Sequence, residues 1–153
     1  MSKPEFVYTT YIETTPEKLW HALTSGDFTE RYWFGIRLRS DWKAGSSFEM
    51  VRGDGTVSDA GKVVECDPPR RLAYTFVNIS DTYKNELPAL ATFVLEPHGN
   101  LVKLTLTHEG FAEGSKFFGA VSKGWPAILS NLKSLLETGH ALDIPYAALK
   151  FEN

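Results

Sequence analysis

The sequence lacks the features that mark secreted, membrane-spanning and nucleic-acid-binding proteins. Cys66 is its single cysteine, so no intrachain disulfide can form and a reducing compartment, the cytoplasm, is expected. No apolar run is long enough to span a membrane, and the first ten residues contain no signal-peptide core. The net charge of −3 provides no basic excess, which argues against nucleic acid as a partner.

Sequence signatures of metal, nucleotide and nucleophile sites are missing as well. None of the four histidines is spaced from another His, Cys, Asp or Glu in a zinc-binding pattern. No Gly-x-Ser-x-Gly motif occurs, and Gly53-Asp54-Gly55 joins two predicted strands instead of opening a helix. We therefore expect neither a metal nor a cofactor.

Aromatic and apolar residues are abundant. Aromatic residues make up 13% and apolar residues 42% of the 153 residues, a length that suits one core. No repeat, linker or low-complexity tract interrupts the chain, so a single domain over residues 1–153 is expected. The aromatic residues can fill a core or line a cavity, and composition does not decide between the two.

Hydrophobic periodicity predicts one strand, two short helices, six further strands and one long helix. The first helix is expected to begin at Pro16 with Thr15 as its N-cap, and the second to be capped by Asp27. A polar loop is predicted over residues 80–88. The predicted strands cover residues 6–13, 36–40, 47–52, 58–66, 71–78, 90–96 and 101–109.

The longest predicted element is an amphipathic helix over residues 115–138, with Gly139 as a left-handed C-terminal cap. Pro126 lacks an N–H group, so the helix should kink near Ser122 or restart at Pro126. Two interpretations of such a break remain open: the helix follows a curved sheet, or its first half, residues 117–123, gates a pocket. Its apolar stripe is predicted to contain Phe118, Val121, Trp125, Ile128 or Leu129, Leu132, and Leu135 or Leu136.

The order of the elements predicts an α+β fold in which a curved antiparallel sheet of about six to seven strands wraps around the long helix. A curved sheet cannot contact a straight helix along its whole length, so a pocket is expected between them. The tail, residues 140–153, contains enough apolar residues to dock on the domain, and the sequence does not indicate where.

Side chains on the inward faces define a candidate ligand-binding cavity. Phe34, which follows Trp33 in the sequence, is expected beside it. A fully packed core without a cavity would use the same residue types, so both interpretations stay open. The residues expected to converge there are Trp33, Phe48, Met50, Tyr74, Phe76, Phe93, Leu104, Leu106, His108, Phe118, Trp125 and Leu129.

Two of these residues are polar. His108 shares its strand face with Leu104 and Leu106, so it is a candidate general base or ligand contact, or a core histidine satisfied by the backbone or water. The Tyr74 hydroxyl could bind a ligand or a protein group. Five arginines near strand ends could receive a ligand carboxylate or be simply solvated: Arg37, Arg39, Arg52, Arg70 and Arg71.

Five stretches, in this order and spacing, resemble the START-like (Bet v-like, SRPBCC) helix-grip superfamily. Within it, the chain is similar to the family named for the activator of heat shock protein 90 ATPase, C-terminal domain type. The resemblance covers residues 6–139 and implies a helix-grip fold with a hydrophobic cavity between the long helix and the sheet. The stretches are ETTPEKLWHALTSGDFTERYW, WKAGSSFEM, GKVVECDPPRRLAYTF, ATFVLEPHGNLVKLTLTHEGF and GWPAILSNLKSLLETG.

Three functional hypotheses follow. The first is binding of a small hydrophobic ligand, lipid-like or aromatic, in that cavity. The second, implied by the family name, is a co-chaperone or regulatory protein-interaction module with a protein partner or a homodimer. The third is a cyclase or hydrolase, as in some members of the superfamily, with His108 as base. The third predicts that His108→Ala abolishes turnover while leaving ligand affinity nearly unchanged.

Overall fold

Seven strands form one antiparallel sheet in the computed structural model, which describes residues 3–145. They are β1 (Phe6–Glu13), β2 (Arg37–Ser40), β3 (Ser47–Val51), β4 (Val57–Asp67), β5 (Arg71–Asn78), β6 (Ala89–His98) and β7 (Leu101–Glu109). Their order in the sheet is β1-β7-β6-β5-β4-β3-β2, so β1 and β2 form its two edges. The predicted antiparallel α+β architecture is confirmed.

The sheet curves because β3 and β4 contain irregularities in their pairing. The register shifts between Met50 and Val51, and again between Val63 and Glu65. Such bulges bend a strand and increase its twist. Between them lies Gly61, where an added Cβ would stand 1.7 Å from the Thr75 carbonyl oxygen, so only glycine fits this close approach of two strands.

Two short helices follow β1: α1 (Pro16–Thr24) and α2 (Gly26–Tyr32). Thr15 caps α1 as predicted, because its hydroxyl accepts a hydrogen bond from the Lys18 amide at 3.2 Å. The predicted cap of the second helix is wrong: the N-cap position is occupied by Ser25, two residues before Asp27, and α2 begins at Gly26. The Asp27 carboxylate instead accepts a hydrogen bond from Arg37 at 2.6 Å.

The long helix, α3 (Lys116–Thr138), runs from a Ser115 cap to Gly139, whose φ of 86° is the predicted left-handed cap. Pro126 lies inside this uninterrupted helix, so the expected restart at Pro126 does not occur. Proline removes one hydrogen bond to the preceding turn. The buried residues on both sides of Pro126 keep the helix continuous by packing against the sheet, which is the main source of helical stability in proteins.

The core lies between α3 and the inward face of the sheet. At the start of α3 the predicted stripe is wrong by one position: Phe117 is buried, whereas Phe118 is half-buried against Phe111, with ring centroids 5.2 Å apart. The first turn of the helix therefore presents Phe117 to the sheet. The other large, fully buried core side chains include Trp125, Leu129, Leu132, Phe48, Tyr74, Phe93, Leu104 and Leu106.

The connection between β5 and β6, predicted as a polar loop, holds the first turn of α3. It contains a short 3-10 turn, Asp81–Tyr83, in which Tyr83 is buried. Both carboxylate oxygens of Glu86 accept hydrogen bonds from α3: one from the Ser115 hydroxyl, the other from the Lys116 and Phe117 amides at 3.1 Å each. Glu86 thereby joins this connection to the helix.

Two further expectations from the sequence concern membrane-spanning segments and the C-terminal tail. No helix within residues 3–145 is long and apolar enough to cross a membrane. The chain is neither helix nor strand from residue 140 to 145, and the predicted docking of the tail concerns mainly residues 146–153, which lie outside the described residues.

Candidate functional site

A cavity of about 780 Å³ opens between the first half of α3 and the end of the sheet formed by β3, β4 and β5. This volume is within the range that is typical of small-molecule sites, about 300–1,000 Å³. Its polar wall residues are Arg52, Ser58, Asp59 and Asn78, all on or beside the sheet. Its apolar wall consists mainly of Trp33, Phe34, Ile36, Met50, Phe76, Phe117, Ala120, Val121, Trp125 and Ile128.

The cavity exists because α3 presents small residues in its first half. Helical spacing of three and four places Ala120 and Gly124 on one face, between the bulkier Phe117 and Ile128. Close packing would need large side chains at these two positions. The gap that they leave faces the end of β5, where Phe76 forms the opposite wall.

The turn after α2 closes one side of the cavity. Phe34 has φ of 51° and Gly35 has φ of 82°, so two successive residues adopt the left-handed conformation. This conformation is uncommon for a residue with a bulky side chain and is found mostly where the surroundings impose it. The turn brings Trp33 against Trp125, with ring centroids 5.2 Å apart at 66°.

The predicted cavity residues fall into two groups. Trp33, Met50, Phe76 and Trp125 lie on the cavity wall, with the neighbouring Phe34. The remainder do not lie on the wall, because bulky α3 residues fill the space over the rest of the sheet. Phe118 is half-buried, and the following pack in the core: Phe48, Tyr74, Phe93, Leu104, Leu106, His108 and Leu129.

His108 is buried beside the cavity and does not line it. Its Nδ1 accepts a hydrogen bond from the Trp125 indole N–H at 2.9 Å, and its Nε2 is buried without a hydrogen-bond partner among the described residues. Burial lowers the pKa of His108 to about 3, although the Ala89 backbone acts in the opposite direction. His108 contacts both Phe76 and Trp125, which form the wall. A general base must reach its substrate, and this geometry does not favour that role.

Tyr74 likewise belongs to the core. Its ring stacks on Phe48, with centroids 4.0 Å apart at 17°, and burial raises its pKa. Tyr74 is not among the residues that line the cavity.

Of the five arginines considered above, Arg52 is the one on the cavity wall within the described part of the chain. Its guanidinium donates to the Thr56 hydroxyl at 3.1 Å and takes part in no ion pair among residues 3–145. The other four are paired with acidic residues at the surface: Arg37 with Asp27 and Glu30, Arg39 with Glu49, Arg70 with Asp67, and Arg71 with Glu65.

The sequence analysis missed three polar wall residues, Ser58, Asp59 and Asn78. Pairing places Asp59 between Met50 on β3 and Asn78 on β5, so these three side chains share the inward face. Asp59 is 8% exposed, and Asn78 Nδ2 donates to its Oδ1 at 3.4 Å. Burial raises the pKa of Asp59, opposed by Ser58, Asn78 and Arg52. Alternation from the buried Val63 back along β4 was the available signal for the inward position of Asp59.

A family model and several solved structures match this chain. A family model described as Activator of Hsp90 ATPase homolog 1-like protein matches residues 13–137. The structure of protein MLL2253 from Mesorhizobium loti is similar, with a TM-score of 0.74 and 27% identity, over 87% of this chain and 96% of that one. No curated protein sequence gives a significant match.

Two further solved structures share the fold at lower identity. The Aha1 dimer from Colwellia psychrerythraea matches with a TM-score of 0.72 and 23% identity, over 89% of this chain and 98% of that one. An HSP90 activator from Plasmodium falciparum matches with a TM-score of 0.70 and 22% identity, over 86% of this chain and 95% of that one. At these identities the likeness concerns the fold alone.

Proposed function

The chain belongs to the family of Activator of Hsp90 ATPase homolog 1-like proteins, and within this family we propose that it binds a small hydrophobic ligand, aromatic or lipid-like, between α3 and the sheet. The observation that carries the proposal is the cavity of about 780 Å³, whose wall contains six aromatic side chains: Trp33, Phe34, Phe76, Tyr83, Phe117 and Trp125.

The wall suits an apolar ring or chain for two physical reasons. Apolar surface removed from water contributes about 25 cal/mol per Å², so a ligand that covers these side chains gains affinity from burial alone. Aromatic rings also attract one another edge to face, and Trp33 and Trp125 already meet at 66°. A planar aromatic ligand can make the same kind of contact with either ring.

Filling the cavity from α3 tests this proposal. Ala120→Trp places a large ring in the gap, whereas Lys123→Trp introduces the same ring at an exposed position of the same helix, outside the wall. Isothermal titration with naphthalene should give measurable binding to the wild type and to Lys123→Trp, and binding to Ala120→Trp at least tenfold weaker. Equal affinities for the two variants would place the ligand elsewhere and contradict the proposal.

A second candidate, a co-chaperone or other protein-interaction module, is favoured by the family itself. The edge strand β1 exposes 54% of Val7 and 45% of Tyr11, which could contact a protein partner or a second copy of the chain. The direct test is the ATPase rate of purified Hsp90 with and without this protein. A rise in that rate would support the candidate, and an unchanged rate together with a monomeric mass in light scattering would reject it.

A further inference from the structure

Asp59 is a buried carboxyl group on the cavity wall. It is 8% exposed and is the one acidic side chain that is buried among the described residues. No Lys, Arg or His of the described chain lies within ion-pair distance of it. By contrast, Asp67, Glu49 and Glu65 pair with arginines at the surface, where their charge costs little.

Neighbouring side chains offset only part of the free-energy cost of burying the Asp59 carboxyl. The Asp59 carboxyl accepts a hydrogen bond from Asn78 Nδ2 at 3.4 Å, which is long for a charged acceptor. Ser58 opposes the rise in the pKa of Asp59 most strongly, followed by Asn78 and then Arg52, and burial outweighs all three. A buried carboxyl without close partners destabilises the fold, so its presence on a cavity wall needs an explanation.

We propose that Asp59 and Asn78 bind a hydroxyl group of the ligand whose apolar body fills the cavity. This inference rests on the proposed function. A hydroxyl both donates and accepts hydrogen bonds, and the two side chains offer both halves: the Asp59 carboxyl accepts and the Asn78 amide donates. Asp59 and Asn78 lie directly opposite each other on β4 and β5, so one hydroxyl can reach both.

The charges around the cavity select a neutral head over a charged one. A cationic ligand head would bring its charge near the Arg52 guanidinium, which lines the same cavity. An anionic head would bring its charge to Asp59 itself. A neutral hydroxyl meets neither repulsion, since like charges in a partly desolvated site are costly. The ligand class is therefore an aromatic or alicyclic compound with a hydroxyl group, such as a phenol.

The position of Asp59 also orients the ligand. Asp59 and Asn78 belong to the sheet side of the cavity, whereas Ala120, Gly124 and Trp125 belong to α3. The hydroxyl is directed to the sheet, and the apolar body lies against the helix and the α2–β2 turn. A compound with the same rings and no hydroxyl would desolvate the Asp59 carboxyl without adding a hydrogen bond to it, which lowers the affinity of that compound.

Three probes with one ring system separate these contributions: 2-naphthol, 2-methoxynaphthalene and naphthalene. The methoxy compound keeps the acceptor oxygen and loses the donor proton. Titration calorimetry on the wild type should give 2-naphthol an affinity about tenfold above that of the other two, the usual effect of one hydrogen bond to a charged group. Because this panel needs no variant, it decides whether the cavity recognises a hydroxyl group even if a substitution at Asp59 impairs folding.

A pair of variants then assigns the preference to Asp59. Asp59→Ala should bring the ratio of 2-naphthol to naphthalene affinity close to one. Asp41→Ala is the matched control, since Asp41 is exposed and lies outside the cavity wall. This control should keep the tenfold preference of the wild type.

The outcomes distinguish this inference from the proposed function. If naphthalene binds and 2-naphthol binds no more tightly than naphthalene and 2-methoxynaphthalene, the hydroxyl site is wrong while the hydrophobic site stands. A preference that survives Asp59→Ala also overturns the assignment. If none of the three probes binds to the wild type, the proposed function fails, and this inference fails with it.

Discussion

At the scale of single residues, His108 illustrates how burial fixes a charge state. The ring is fully buried, and its pKa is lowered to about 3 from an ordinary value of 6.5. Between these two pH values the unfolded chain binds a proton that the folded chain does not. The free energy of unfolding therefore rises with pH across this interval, and the stabilisation is lost as the pH falls below 6.5.

A glutamine at position 108 should remove this dependence. His108→Gln keeps an acceptor for the Trp125 indole N–H and cannot take up a proton in this range. Urea unfolding between pH 7 and pH 4 should show the wild type losing stability relative to His108→Gln by up to about 1.4 kcal/mol per pH unit. The exposed His98→Gln serves as control and should follow the wild type. Parallel curves for His108→Gln and the wild type would contradict this account of His108.

Residue positions on the cavity wall were only partly predictable. Strand alternation correctly directed Met50 and Phe76 inward, and helical spacing did the same for Trp125, because burial of apolar side chains is what creates those periods. Trp33 lies at the end of α2, where neither period was used to place it. The same reasoning selected inward residues by their apolar character, so it did not identify Asp59, whose buried side chain is a carboxyl. No local pattern distinguishes a residue that fills the core from one that lines a gap.

At the scale of secondary structure, Glu86 ties the β5–β6 connection to α3. It caps the first turn of a helix that forms one wall of the cavity. Glu86→Ala removes three accepted hydrogen bonds and a negative charge at the positive end of the helix, so the free energy of unfolding should fall by about 1–2 kcal/mol. Hydrogen exchange of the Lys116 and Phe117 amides should accelerate.

The control for this variant is Glu113→Ala, an exposed glutamate in the segment just before α3. Its loss should change stability by less than 0.5 kcal/mol, as is usual at the surface. If both variants unfold at the same urea concentration and the amides of the first turn exchange at the wild-type rate, Glu86 does not hold the helix.

The secondary structure itself was largely predictable, and the contacts between distant elements were not. The bounds of β1, β5 and β7 agree with the sequence prediction. Burial alternates along β1 and β7, and β5 is rich in aromatic and β-branched residues. The Glu86 cap joins residues about thirty positions apart. Hydrophobic periodicity contains no information about contacts between residues so distant in sequence. The one-residue error at Phe118 has a similar origin, because the sheet and Phe111 decide which of two adjacent aromatic residues is buried.

At the scale of the whole molecule, the cavity depends on how the curved sheet and the long helix α3 diverge. Large side chains of α3 such as Leu129 and Leu132 fill one end of the space, and Ala120 and Gly124 leave the other end open. The family resemblance implied such a gap. The volume of the cavity could not be predicted from the sequence, because it depends on how α3 and the strands are placed in the structure. The account's central claim is that this gap is the ligand site.

Nuclear magnetic resonance of the four indole N–H groups tests that claim most directly. Trp33 and Trp125 lie on the cavity wall, whereas Trp20 and Trp42 do not, so the protein contains its own controls. When 15N-labelled protein is titrated with 2-naphthol, the Trp33 and Trp125 signals should shift with saturation while the Trp20 and Trp42 signals stay in place. Shifts confined to Trp20 or Trp42, or no shift at any ligand concentration, would contradict a ligand site between α3 and the sheet.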